Sequence, residues 1–292
     1  MAELSLEHEG LMAHERSTMP GGLLDIMRRG VRIFDLSQPL EPGMPTSPNH
    51  PGFKMALMRR HGDMVRPDGG SASNEMFMMG GHVGTHVDAL SHVSHNGLLH
   101  GGVEAEGAQR GGRFTVHGAE TIPAMFCRGL LLDVAGAHGL DTLPGGHPIG
   151  PEDLAAAAAR AGVTLERGDV VLVRTGWARN WHDAEAYIGH NSGVPGVTEE
   201  GATWLAERGV VATGADTTAY EHIPPGQGHR LLPAHRVLLV EHGIHIIEHL
   251  RLEDPAAAGV AEFLFVLAPL KIVGGTGAPV RPLAVVETSA LA

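Results

Sequence analysis

The chain has 292 residues, 43% of them hydrophobic, enough to bury the core of one large domain or two small ones. A net charge of −12 with histidine neutral, and no Lys/Arg cluster, argues against nucleic-acid or anionic-membrane partners, which need a basic footprint. The single cysteine, Cys127, excludes an internal disulfide and leaves no thiolate cluster for structural zinc or an iron–sulfur centre.

The opening MAELSLEHEG is acidic and lacks the basic n-region and apolar stretch of a secretory signal, so a soluble cytoplasmic protein is expected. Residues 1–20 show no clear period and are expected to form a loose arm, followed by a short helix from Gly22 to Arg29 that ends at Gly30. VRIFDLSQPL is expected to be a strand entering a Pro/Gly loop, EPGMPTSPNHPGF. Met76, Phe77, Met78 and Met79 are expected in the core or a pocket wall. GLLLDVA, from Gly129 to Ala135, is an apolar run of strand length, with Cys127 at its start as a buried bystander. Pro151, Glu152 and Asp153 open an alanine-rich helix through Arg160, with Gly162 just past its end. GDVVLVRTGW is a second buried strand, and Thr198 is the expected N-cap of a helix EEGATWLAER closed by Gly209. VVATGAD, FLFVLAPLKIVGG and RPLAVVE add further strands; VAEFLFVLAPL is interrupted by Glu262 and Pro269 and is too short to span a bilayer. Strands alternating with helices predict an α/β fold with a mixed sheet, organised as an N-terminal arm, residues 1–30, and one domain, residues 31–292.

Twenty histidines stand against 21 Lys plus Arg, and histidine is the commonest metal ligand. In GGHVGTHVDALSHVSHNG, His82, His86, Asp88, His92 and His95 crowd together. Imidazoles with a carboxylate suit Zn²⁺, Mn²⁺ or Fe²⁺. His82 and His86 have the i, i+4 spacing of a helical zinc motif, but Val83, Gly84 and Thr85 between them are poor helix formers. In a straight strand the two Cα atoms would lie about 13 Å apart, too far for both rings to bind one ion. A metal site therefore requires a bend, which Gly84 permits, whereas a plain half-buried strand would turn Val83, Thr85 and Val87 to the core.

The run H-x-G-T-H-x-D-x-x-x-H resembles the signature of the cyclase/kynurenine-formamidase-like metal hydrolases, which include bacterial arylformamidases and isatin hydrolases. DLSQPLEPGMPTSPNHPGF, RGDVVLVRTGW, GVVATGADTTAYE, PAHRVLLVEHGIHIIEHLRLE and FVLAPLKIVGGTGAPVRPLAVV resemble other family segments in the same order, so the likeness covers most of residues 31–286. It implies a single swivelling β/β/α-like domain. It also implies His82, His86 and Asp88 as first-metal ligands, His235 as a second-metal ligand, Glu248 as a glutamate that can bridge two ions, and His92 as the general base. One or two Zn or Mn ions per chain, hydrolysis of a small amide, formamide or lactam, and a homodimer or homotetramer follow from the same likeness; apolar segments around Met44 and Met55 to Met58 also suggest oligomerisation. Two departures mark a side branch: the His235–Glu248 interval is one residue longer than in the formamidases, and the prolines usual after Asp88 are replaced by Ala89-Leu90-Ser91. A metal-dependent lyase or cyclase, and a non-catalytic metal- or ligand-binding protein, are the rival readings.

Among other residues, Glu241 competes with Glu248, which is favoured because it follows the apolar pair Ile246-Ile247. His95 and His100 flank the turn signal Asn96-Gly97. His222, His229, His242, His245 and His249 surround the second-ligand region, and at most one or two of them are expected to touch substrate. His50 and Phe53 are expected at the pocket mouth, and Arg174, at a strand end, is open to a substrate oxyanion or a structural ion pair.

Overall fold

A computed structural model describes residues 22–291; the expected arm over residues 1–20 lies outside the described residues. Nine strands form one mixed sheet in the order Val31–Asp35, Leu283–Glu287, Glu262–Leu267, Met125–Asp133, Val170–Arg174, Ala212–Ala215, His245–Glu248, His86–Asp88, Gly277–Pro279. The four from Met125–Asp133 to His245–Glu248 run parallel, and antiparallel strands flank them on both sides. Parallel strands covered on both faces read as continuous apolar runs. Val170 to Val173 fit that rule: all four are fully buried, with Val171 and Val173 in one apolar cluster and Val170 and Leu172 in another. Each such side chain contributes roughly 1.5–3 kcal/mol by leaving water.

Helix Pro151–Ala161 covers one face with Leu154, Ala157 and Ala158, one stripe at helical spacing. Asp153 accepts from the Gly150 N–H, 3.1 Å, at its start, and Gly162 leaves it at φ 67°. Helix Glu199–Glu207 lies beside it, and the Thr198 hydroxyl accepts from the Gly201 N–H, 3.2 Å. The central strand spans Met125–Asp133 rather than continuing to Ala135, because the Asp133 carboxylate accepts from the Gly136 N–H and caps a short helix, Val134–Ala137. The strand begun at Glu262 ends at Leu267, short of Pro269, which has no N–H for the ladder. Among the described residues, no helix is long and apolar enough to cross a membrane.

The sequence did not announce the hairpin Lys54–Arg59/Asn74–Met78. Among the described residues its strands pair only with each other, and every residue of both is exposed. Met55, Leu57, Met58, Met76, Phe77 and Met78 are half or more exposed, which corrects the core assignment of residues 76–78. Met44, by contrast, is buried with Phe53 and Trp177. Cys127 is only half-buried, at the edge of the apolar cluster that holds Met125 and Leu131, and burial and then Asp169 push its thiol pKa up.

Candidate metal centre

The chain turns between Gly81 and Thr85 before entering the strand His86–Asp88. Gly84 sits at φ 66°, a left-handed conformation that favours glycine, and a Cβ there would also press on the tip of the exposed Leu40 side chain at 2.5 Å. The turn brings the His82 and His86 rings to 5.1 Å between centroids. The strand then lies antiparallel between two sequence-distant strands, with His86 opposite Glu248 and Asp88 opposite Gly277. His235 arrives on a single helical turn, Pro233–His235, that runs into a wide π-helical segment, Arg236–His242.

All six residues singled out from the sequence meet here. His82 Nδ1 is 2.8 Å from Asp88 Oδ1, and its Nε2 is 2.9 Å from Thr276 Oγ1. His86 Nε2 lies 3.5 Å from Asp88 Oδ1 and 3.7 Å from Glu248 Oε2. His235 Nε2 lies 3.6 Å from Asp88 Oδ2 and 3.2 Å from Glu248 Oε1. His92 stacks on His82 at 3.9 Å between centroids, and ligand atoms of His82, Asp88 and His92 all lie within 4.8 Å of one another. Two ligands of one ion, each about 2.0–2.2 Å from it, stand roughly 3.0–3.5 Å apart in tetrahedral or octahedral geometry, close to the imidazole–carboxylate separations found.

The electrostatics favour a cation. Asp88 is fully buried and its Oδ2 has no hydrogen-bond partner among the described residues, an expensive state for a carboxylate oxygen. Burial works to raise its pKa, but His92, His82 and His86 outweigh that and hold it well below the usual carboxylate range. Burial likewise opposes the charge on His235, yet Glu221 and Glu248 raise its pKa to about 10. Burial pushes His92 down to about 3 despite the Asp88 carboxylate, so it stays neutral. Asp88, Glu221 and Glu248 are thus three buried carboxylates, and among the described residues neither Lys nor Arg lines the adjoining cavity. The available compensation is imidazolium or a bound divalent ion, and nitrogen and carboxylate donors fit such an ion.

That cavity, about 220 Å³, is lined by His50, His92, Thr218, His229 and His249 together with the ligand candidates. His50 therefore lies at the site, while Phe53 packs in the apolar cluster beneath. His245 supports Asp88 from behind, its Nδ1–H donating to the Asp88 carbonyl at 2.8 Å. Sequence reasoning missed Glu221, whose carboxylate accepts from His235 Nδ1 at 3.0 Å and from the Ala234 and His235 N–H groups. It also missed Thr276 and Tyr187; none of the three carries a spacing signal, because each reaches the site through the fold. Glu241 pairs with Arg236 instead, and His100 donates to the Val240 carbonyl. A larger cleft, about 610 Å³, lies around Asp133, Arg174 and Glu253, but Arg174 is engaged by both carboxylates at 2.6 and 2.9 Å, a structural ion pair.

Comparison with known proteins extends this picture. A family model described as "Putative cyclase" matches residues 34–222. A kynurenine formamidase of Bordetella petrii is 26% identical over 254 residues, covering 86% of this chain and 97% of that protein. Among solved structures, a novel cyclase superposes with a TM-score of 0.78 at 26% identity, covering 91% of this chain and 93% of the other. Isatin hydrolase A from Labrenzia aggregata, bound to benzyl benzoate, superposes with a TM-score of 0.68 at 26% identity over 91% and 98% of the two chains.

Proposed function

The chain belongs to the cyclase family, and on that premise we propose that it is a metal-dependent hydrolase cleaving the C–N bond of a small amide, formamide or lactam. The observation that carries this reading is the gathering of His82, His86, His235 and Glu248 around the buried Asp88, whose Oδ2 is unpartnered among the described residues. Relatives named kynurenine formamidase and isatin hydrolase support the reaction class. His82, His86, Asp88, His235 and Glu248 would hold one or two ions, with Zn²⁺ and Mn²⁺ suited to the donor set. When bound, such an ion would supply Lewis acidity, lowering the pKa of water to about 7 and polarising a carbonyl.

The protein's own groups do the rest. Asp88 and Glu248 supply the charge that retains the cation. His92, which lines the cavity and stacks on His82, would accept the proton of the attacking water on its ring nitrogen and return it to the departing nitrogen. The cavity of about 220 Å³ limits the substrate to a small molecule and limits the water admitted with it. Hydrolysis of a formanilide and of an isatin-type lactam, assayed with metal and with chelator, tests the proposal. Turnover of at least one, abolished by chelation and restored by Zn²⁺ or Mn²⁺, is expected; full activity in excess chelator, or no turnover of either by metal-loaded protein, overturns it.

A homodimer or homotetramer is part of the same proposal. Support comes from the hairpin, whose Met55, Leu57, Met58, Met76, Phe77 and Met78 stay exposed in the single chain. Light scattering that gives a monomer mass at micromolar concentration would refute it.

A further inference from the structure

His86 and His235 are wired alike. His86 Nδ1–H donates to the Gly84 carbonyl at 2.8 Å and His235 Nδ1–H to the Glu221 carboxylate at 3.0 Å, which turns each Nε2 toward the carboxylates of the site, where a bound cation would take the place of a proton. A metal-binding histidine almost always donates its other ring N–H in this way, which fixes the tautomer and the ring. A third imidazole has the same wiring. His249 Nδ1 lies 3.0 Å from the Tyr187 hydroxyl, which also lies 3.2 Å from the Asp216 carbonyl oxygen. A carbonyl can only accept, so the single Tyr187 proton goes to Asp216. The Tyr187 oxygen must then accept from His249 Nδ1–H. Neutral His249 thereby carries its proton on Nδ1 and a lone pair on Nε2, for which no hydrogen-bond partner exists among the described residues.

The backbone holds His249 in place with equal care. It sits at φ 57°, a conformation that side chains other than glycine rarely adopt. Its N–H donates to the Thr217 carbonyl at 3.1 Å, and its carbonyl accepts from Thr85 Oγ1 at 2.7 Å. Trp181 meets its ring edge-on at 5.8 Å and Tyr187 stacks on it at 5.6 Å. The residue is 3% exposed, yet it lines the cavity. Ligand atoms of His86, Glu248 and His249 all lie within 4.8 Å of one another.

We propose that His249 is a further metal ligand, sharing an ion with His86 and Glu248, and that Tyr187 is the positioning residue that turns its Nε2 into the cavity. The inference rests on the metal-centre reading above. The strained left-handed backbone and the Tyr187–Asp216 relay are then the means of aiming one lone pair, as Gly84 and Glu221 aim those of His86 and His235.

The test strips the protein of metal and reloads it with Co²⁺, whose visible spectrum reports its ligands. His249→Asn removes the imidazole while accepting the left-handed backbone. It is expected to lose Co²⁺ to a competing chelator at a concentration at least about 10-fold lower than wild type, with an altered spectrum. Tyr187→Phe is expected to weaken binding by about 10-fold, since supporting partners of a ligand typically contribute 10–100-fold. Wild-type affinity and spectrum in His249→Asn would overturn the proposal. If that variant fails to fold, unchanged Co²⁺ affinity in Tyr187→Phe overturns it instead. His86→Asn separates the two levels: if it loses Co²⁺ while His249→Asn does not, only the present inference falls. If both retain it fully, the metal-centre reading falls as well.

Discussion

Gly277→Ala tests the site without altering any proposed ligand. Gly277 lies in the strand Gly277–Pro279, opposite Asp88, and its backbone is outside the left-handed region, so alanine is conformationally admissible. The space is not. A Cβ would stand 2.6 Å from His82 Cε1 and 2.9 Å from its Nδ1, whereas carbon atoms in contact prefer about 3.5–4.0 Å. The ring must therefore retreat by about 1 Å. It is held at 2.8 Å by Asp88 and at 2.9 Å by Thr276, and His92 stacks on it, so retreat breaks at least one of these contacts. Overpacking of this kind typically costs about 1–3 kcal/mol, and metal–ligand distances tolerate only about 0.2 Å. The expected outcome is metal affinity lowered by about 10-fold or more and turnover lowered by about 10²-fold. Chelator competition and a formanilide or lactam assay would read these two quantities. Gly107→Ala is the control, since a Cβ there meets nothing nearer than 3.8 Å. If Gly277→Ala kept its metal and its rate while Gly107→Ala did likewise, His82 would not be a ligand.

His92→Asn should keep the metal and lose about 10²–10⁴-fold in rate, as for a lost general base, whereas His86→Asn should lose the metal itself; metal content measured beside rate, on variants with unchanged circular dichroism, checks the contrast, and the reverse pattern would exchange the two roles. Chelation should lower the melting temperature, because an ion present at about 1,000 times its Kd stabilises by about 4 kcal/mol; a melting curve indifferent to chelator would count against the site. Asp216, fully buried and accepting from Thr175 and Gly176, has its carboxyl pushed up to about 6 by burial. The folded state then binds its proton more tightly than the unfolded one, so this stabilisation is fully present below about pH 4 and fades as pH rises through about 6, by up to roughly 3 kcal/mol. Denaturant titrations between pH 4 and 8 should show that slope in wild type and not in Asp216→Asn.

Much of the sheet was legible because its strands advertise themselves. Val170 to Val173 is an unbroken apolar run, and that is what a parallel strand buried on both faces needs. The helices at Pro151 and Glu199 carried their caps in the sequence. The hairpin was misread for the opposite reason. Met76, Phe77 and Met78 are apolar, and apolarity predicts burial only on average; with partners only in Lys54–Arg59, they remain exposed.

The candidate site divides along the same line. Local sequence determined the cluster His82, His86, Asp88 and His92, because a glycine bend is enough to gather residues a few positions apart, and family likeness added His235 and Glu248. Only the tertiary structure decided which groups stand behind them. Glu221 behind His235, Thr276 beside His82, and Tyr187 with Asp216 behind His249 reach the centre across sheet registers and loops. Their sequence separations follow no helical or strand period, since an imidazole's second nitrogen takes whatever acceptor the folded chain brings within about 3 Å.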